Sequence, residues 1–126
     1  MRKSLILTIL LAMLVAGVAW GISAARSAPR EIVLVARGMA FYIEGDDTPN
    51  PTLQLRPGES VRLTLINRDR GMRHDLAIAG LGVGTGVLAG DGDSETIRLR
   101  APARAGTFAY LCRFHVQTMR GLLEVR

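Results

Sequence analysis

The chain has few of the residues that form disulfide bonds or bind several metal ions. Its 126 residues include one cysteine, two histidines and only 5% aromatic side chains. One cysteine cannot close a disulfide within the chain, so a disulfide-stapled fold is excluded. A zinc finger or zinc ribbon needs four cysteine or histidine ligands in paired spacing, and only three such residues exist. Multicopper oxidases and copper–zinc dismutases need many more than two histidines and are excluded in the same way.

Strong positive charge is also missing from most of the chain. The net charge of the whole sequence is +5, but from Pro29 onward 13 arginines stand against 11 acidic residues, which leaves a net charge of +2. This balance gives no support for nucleic-acid binding.

The amino-terminal segment predicts export. Arg2 and Lys3 precede an apolar run over residues 5–22, and small residues follow it. This is the pattern of an export signal, with Ser23 and Ala25 placed as the −3 and −1 residues of a cleavage site. The run approaches the ~20 residues that span a bilayer, so an uncleaved membrane anchor is the alternative. Either way, the basic start stays in the cytoplasm and the rest is translocated.

The chain therefore divides into residues 1–28, a signal peptide or membrane anchor, and residues 29–126, an exported domain. We expect this domain in the periplasm or another extracytoplasmic compartment, where it contacts a membrane only through residues 1–28. In an oxidising compartment a single cysteine cannot pair within its own chain. Cys112 is then an inert buried thiol, half of an intermolecular disulfide, or a metal ligand.

Short strands punctuated by glycine and proline make up the exported part. Apolar and polar residues alternate over residues 52–56, 60–67, 97–100 and 107–111, and apolar residues dominate 32–36 and 121–125. No 3.6-residue period is sustained, so we predict no long helix. Strands at roughly ten-residue spacing predict an all-β sandwich or barrel. Two stretches fit no regular strand: the polar residues 44–51, and the glycine-rich residues 80–92, which we expect to form a loop over one end.

Soft and borderline metal ligands are concentrated at predicted strand ends. Cys112 ends one strand, His115 and Met119 lie in the loop before the last strand, and His74 follows an earlier strand and a tight turn. Two imidazoles, one thiolate and one thioether suit copper, because soft sulfur holds Cu(I) and imidazole holds Cu(II). A trigonal plane of two histidines and a cysteine with a weak axial methionine is an electron-transfer site.

The sequence resembles the cupredoxins, the small type 1 blue copper proteins that include plastocyanin and azurin. The resemblance covers roughly residues 31–126. It rests on Asn67 with the run 72–75 (MRHD), and on the run 106–115 (GTFAYLCRFH) followed by Met119 and Gly121. It implies a Greek-key β-sandwich, one-electron transfer and one copper ion per chain, with His74, Cys112, His115 and Met119 as its ligands.

The ligand loop departs from its relatives in one spacing. The two-residue gap between Cys112 and His115 matches plastocyanin, and the three-residue gap between His115 and Met119 matches azurin. This mixture leaves the strength of the axial bond from Met119 open. Met72 is a weaker candidate for an axial ligand.

Neighbouring residues are expected to hold the ligands in place. A metal-bound histidine usually has its second ring nitrogen held by another group. In the family, a polar residue after the first histidine often bonds to the cysteine loop. Asp75 is placed to do this and to pair with Arg113, and Asn67 is placed to tie the turn before His74.

The donor set and the export pattern leave two functions open. The first is an electron carrier, and the alternative is a periplasmic copper-binding or chaperone module. A copper enzyme such as a nitrite reductase needs a second copper and further histidines, so we expect no enzyme. We expect a monomer whose partner is a redox protein with an acidic docking rim. The arginines that bracket the ligands and the apolar residues Leu81, Val83 and Val87 are expected to face this partner.

Overall fold

The structure is a computed structural model that describes residues 27–126. The apolar run of the predicted signal or anchor lies outside these residues. Within residues 27–126 no helix has the length and apolar character needed to cross a bilayer. The strands are β1 (Arg30–Arg37), β2 (Ala40–Ile43), β3 (Leu53–Leu55), β4 (Ser60–Asn67), β5 (Ala77–Ile78), β6 (Val83–Gly84), β7 (Ser94–Arg100), β8 (Gly106–Leu111) and β9 (Arg120–Val125).

These strands form two sheets, which confirms the predicted β-sandwich. One sheet has the order β2-β1-β4-β7 and the other β3-β9-β8-β5-β6. Neighbours within a sheet are often distant in sequence, because the chain crosses repeatedly between the sheets, as Greek-key connections do. β1 runs parallel to β4, and β3 runs parallel to β9.

The apolar face of each strand produces the core between the sheets. On β4, Val61, Leu63 and Leu65 are buried, while the residues between them are partly exposed. Leu53 and Leu55 of β3 supply the same alternation from the other sheet. Burial of these side chains supplies the main stabilising free energy, at roughly 1.5–3 kcal/mol for each large aliphatic residue.

One glycine in the last strand is required by close packing. The ring of Tyr110 lies directly over Gly121, where a Cβ atom would overlap it. The Tyr110 hydroxyl also donates a hydrogen bond of 2.6 Å to the carbonyl of Pro51, so the ring has no freedom to move aside. Burial raises the pKa of this phenol.

The glycine-rich stretch is more ordered than a single loop. Residues 79–81 form a 3-10 turn, and β6 pairs with β5. Leu88 forms an isolated bridge with His74. Leu81 and Val83 are partly buried and pack against the core, whereas Val87 is 50% exposed.

Candidate metal centre

The loop between β8 and β9 is built from two consecutive tight turns. The amide of His115 donates to the carbonyl of Cys112 at 3.2 Å. The amide of Met119 then donates to the carbonyl of His115 at 2.8 Å, and the amide of Cys112 donates to the carbonyl of Met119 at 2.9 Å. The loop therefore accommodates its mixed spacing by folding compactly, and the hydrogen bond between Cys112 and Met119 closes it.

His74 reaches this loop from the other side of the sequence. Its backbone pairs with Leu88, with the His74 amide donating at 3.0 Å and the Leu88 amide donating back at 2.8 Å. Asn67, at the end of β4, donates through its side-chain nitrogen to the carbonyls of Met72 and Leu88. The predicted role of Asn67 is confirmed, because its side chain spans the turn that carries His74.

Three of the predicted ligands converge. The Nδ1 atoms of His74 and His115 lie 3.9 and 3.6 Å from Sγ of Cys112. The ligand atoms of all three residues lie within 4.8 Å of one another. Metal–sulfur and metal–nitrogen bonds of about 2.3 and 2.0 Å in a trigonal plane separate sulfur from nitrogen by about 3.7 Å. The distances from the sulfur to each nitrogen therefore match those that one first-row metal ion needs.

The fourth candidate, Met119, is fully buried beside this group. Its carbonyl accepts the amide of Cys112, and the side chains of both residues are 0% exposed. Met72, the weaker axial candidate, is instead 37% exposed. Asn50 secures the loop from outside by donating from its side chain to the carbonyl of Thr118 at 2.9 Å. This role of Asn50 was not predicted, because the residue lies in a polar connection far from the ligands in sequence.

A carboxylate holds the outer nitrogen of His74. Nε2 of His74 lies 2.8 Å from Oδ2 of Asp69, and the imidazole is completely buried. The other oxygen of Asp69 accepts the amide of Gly38 at 2.8 Å. With Nε2–H donating to Asp69, Nδ1 keeps its lone pair directed at the cluster, as in other carboxylate–histidine–metal arrangements. The role of Asp69 was not predicted, although a carboxylate five residues before a candidate ligand histidine was a visible signal.

Partial burial acts to raise the pKa of the Asp69 carboxyl. Hydrogen bonds from Gly38 and His74 act in the opposite direction and outweigh it, so the pKa of Asp69 lies below its usual value. The carboxylate is therefore ionised at neutral pH, and it places a negative charge against the buried imidazole.

Asp75 fixes the cysteine loop, as predicted. Its Oδ1 accepts the backbone amide of Arg113 at 2.8 Å, and its Oδ2 accepts Nε of the Arg113 guanidinium at 2.7 Å. Asp75 is only 1% exposed. Arg113 also donates to the carbonyl of Thr85 at 3.1 Å, so one guanidinium ties the cysteine loop to the segment after β6.

His115 is the candidate ligand nearest to solvent. Its ring is partly exposed, and within residues 27–126 its Nε2 has no hydrogen-bond partner. Phe114 and Val116, which flank it, are 41% and 42% exposed. Met72 and Val87 add apolar surface at the same end of the sandwich. We call this end, which carries residues 67–75, 91–93 and 111–120, the site end.

The site end carries charges of both signs. The guanidinium of Arg73 lies 5.0 Å from the centre of the Phe114 ring. Asp69 and Asp75 are held in the bonds described above, whereas Asp91 and Asp93 lie in the loop that pairs with Asn67. Five exposed arginines belong to this end: Arg68, Arg70, Arg73, Arg113 and Arg120. The four carboxylates offset most of this positive charge.

Comparison with known proteins identifies structural relatives. No protein-family model and no curated protein matches the chain. Rusticyanin from Thiobacillus ferrooxidans is 27% identical, with a TM-score of 0.63 over 76% of each chain. An auracyanin from the photosynthetic bacterium Roseiflexus castenholzii is 22% identical, with a TM-score of 0.62 over 79% of this chain and 99% of its own. Auracyanin A from Chloroflexus aurantiacus, described as a "blue" copper protein, is 20% identical, with a TM-score of 0.61 over 79% and 100%.

A multicopper oxidase from Aquifex aeolicus shares the same fold at lower identity. It is 15% identical, with a TM-score of 0.60, and the match covers 77% of this chain but only 26% of the oxidase. This match shows a shared sandwich and no more. Rusticyanin and the auracyanins are cupredoxins.

Proposed function

We propose that this chain, a cupredoxin in its fold and in its cluster of histidine, cysteine and methionine, is an exported carrier of single electrons that holds one copper ion. The observation that carries the proposal is the convergence of three donor atoms, two imidazole nitrogens within 3.9 Å of one buried thiol sulfur. Such a donor set is typical of blue-copper electron-transfer sites.

His74, Cys112 and His115 would hold the copper ion through two imidazole nitrogens and one thiolate, and Met119 would add a weak thioether bond. A bound copper ion supplies a one-electron Cu(II)/Cu(I) couple. The chain supplies a fixed geometry for both states, because Asp69 locks the ring of His74 and Asp75 locks the cysteine loop. Little rearrangement then accompanies the gain or loss of an electron.

The surface around His115 supplies the contact with partners. This ring is the partly exposed edge of an otherwise buried cluster, and Phe114 and Val116 give it an apolar border. A redox partner that docks there comes within a short distance of the metal ligands, and the flanking arginines favour an acidic partner. We further propose that the chain acts as a monomer on the outer side of the cytoplasmic membrane, either released or held by residues 5–22.

The optical spectrum of the purified chain loaded with Cu(II) tests this function. We expect an intense thiolate-to-copper band towards the red end of the visible range, bleached by one electron per copper and restored on reoxidation. A weakly coloured Cu(II) complex that passes its copper to an acceptor protein, without reversible reduction, would instead support the copper-chaperone alternative.

Substitution Met119→Leu tests whether the thioether of Met119 is a weak, axial ligand of the copper ion. Leucine has nearly the same volume, and such a swap in a buried position usually costs less than ~1.5 kcal/mol. We expect copper to remain bound and the reduction potential to rise, because the weak thioether bond tunes the potential more than the affinity. Met72→Leu is the matched control and should change neither quantity. Complete loss of copper from the Met119 variant would contradict an axial role.

Salt dependence tests the docking surface. We expect the second-order rate of electron exchange with the physiological partner to fall modestly as ionic strength rises, because carboxylates offset most of the arginine charge at the site end. At low salt, the double substitution Arg70→Glu with Arg120→Glu should make the reaction slower than that of the parent protein. Rates that stay constant or rise with salt would count against an acidic partner.

A further inference from the structure

The end of the sandwich opposite the site end carries a second group of arginines. The start of β1 lies beside the start of β4, and Ser60 of β4 pairs with Arg100 of β7. The turn before β4 and the loop after β7 are joined by two hydrogen bonds. The Gly58 amide donates to the Pro102 carbonyl at 3.0 Å, and the Ala101 amide donates to the Glu59 carbonyl at 2.8 Å.

Four exposed arginines surround this junction, and we call it the arginine end: Arg30, Arg56, Arg100 and Arg104. Arg30, Arg56 and Arg100 line an open depression of about 650 Å³, one edge of which is formed by residues 27–29. The arginine end is a continuous surface, because the depression joins three separate segments of the chain.

Most of the charge at the arginine end is unneutralised. Among the described residues that line the depression, Glu59 is the one acidic side chain, and it pairs with Arg30 at 3.2 Å. Within residues 27–126, Arg56, Arg100 and Arg104 form no ion pair and their side chains donate no hydrogen bond. The site end differs, since its five arginines lie among four carboxylates.

The position of the arginine end in the chain limits how far it can lie from the apolar run at 5–22. Seven residues, 23–29, separate the apolar run at 5–22 from Arg30. Seven residues reach about 25 Å at most when extended. With the run in a bilayer, the arginine end stays within that distance of the headgroups. The site end lies about 26 Å further away, the length of the eight-residue strand β4.

We propose that the arginine end sits on the anionic headgroups of the bilayer that holds residues 5–22, with the site end facing away from the membrane. Guanidinium groups suit this surface because each one forms paired hydrogen bonds to phosphate oxygens. Each arginine near an anionic bilayer strengthens association roughly fivefold. The inference rests on the anchored form of the chain and is independent of copper binding.

Amide hydrogen exchange on the full chain, reconstituted in lipid nanodiscs, tests this orientation. The two membranes are phosphatidylcholine alone and phosphatidylcholine mixed with phosphatidylglycerol. We expect exchange over residues 54–59 and 100–105 to be at least severalfold slower in the anionic membrane, and exchange over residues 112–119 to be the same in both. High salt should remove the difference, because it screens the headgroups.

The triple substitution Arg56→Gln, Arg100→Gln and Arg104→Gln should abolish the lipid-dependent protection. Arg68→Gln, Arg70→Gln and Arg120→Gln remove the same charge from the site end and should leave the protection intact. Unchanged exchange in the core strands, measured in phosphatidylcholine, verifies that each variant is folded.

Equal exchange in the two membranes overturns the proposal, and so does protection that survives the first triple substitution. Protection that appears at residues 112–119 instead would place the site end against the membrane and would also overturn it. The optical spectrum of the copper site is a separate measurement, so failure of this orientation leaves the electron-carrier function standing.

Discussion

Replacing Cys112 by serine should abolish the intense visible band of the copper-loaded protein while leaving the sandwich folded. The band requires charge transfer from sulfur, and Cys112 is the single thiol of the chain. The fold does not depend on the sulfur, because the backbone of Cys112 keeps its bond to the Met119 carbonyl and the core is formed by the strands. Burying a hydroxyl in place of the thiol costs about 1–3 kcal/mol, less than the stability of a typical domain.

Absorption spectra of the Cu(II) form and thermal unfolding of the copper-free form provide the two measurements. Met72→Leu is the control, since it removes an exposed sulfur atom from the same end of the sandwich. A Cys112→Ser variant as intensely coloured as the parent would refute the assignment of the thiolate ligand. A variant that fails to fold is assessed with Cys112→Ala, which introduces no buried hydroxyl.

Substitution Asp69→Asn should raise the reduction potential. The Asp69 carboxylate accepts the Nε2 proton of His74, and its negative charge favours the more highly charged Cu(II) state. Asparagine keeps the size of the side chain but carries no charge, and its single oxygen can accept only one of the two donors that Asp69 binds, the Gly38 amide or Nε2–H of His74. At an effective dielectric of about 20, two unit charges ~7 Å apart interact by roughly 2 kcal/mol, so loss of the Asp69 charge should raise the potential by up to about 90 mV.

Cyclic voltammetry of the parent, Asp69→Asn and Asp91→Asn measures this effect. Asp91 is an exposed carboxylate in the loop between Leu88 and β7, so its removal should shift the potential far less. Nitrogen NMR of the copper-free protein gives a second measurement, in which the His74 ring of the parent should carry its proton on Nε2. If the reduction potential of Asp69→Asn equals that of the parent, and the His74 ring of the parent carries its proton on Nδ1, then Asp69 neither holds the imidazole nor affects the metal site.

The longer strands were predictable because their signal is local. Alternation over Ser60–Asn67 directly specifies which face of β4 is buried, since side chains alternate across a strand. β2 was not predicted, because its four residues are all apolar and carry no alternation. The two-residue strands β5 and β6 were also missed. They exist because they pair with each other and because Ala77 of β5 pairs with Leu111 of β8, which no local pattern records.

The sequence by itself predicted the donor types, since Cys112, His115 and Met119 lie within one loop, which the structure closes with two tight turns. Only the tertiary structure decided that His74, 38 residues before Cys112, turns its Nδ1 towards that sulfur. It also decided that Asp69 holds the imidazole of His74, whereas the bond from Asp75 to the cysteine loop was already predicted from the sequence. Asp69 and Asp75 lie on either side of the histidine in sequence, and in the structure the first bonds to the imidazole and the second to Arg113. The physical reason is that ligand type is a property of single residues, whereas orientation depends on hydrogen bonds between segments that only the packed sandwich brings together.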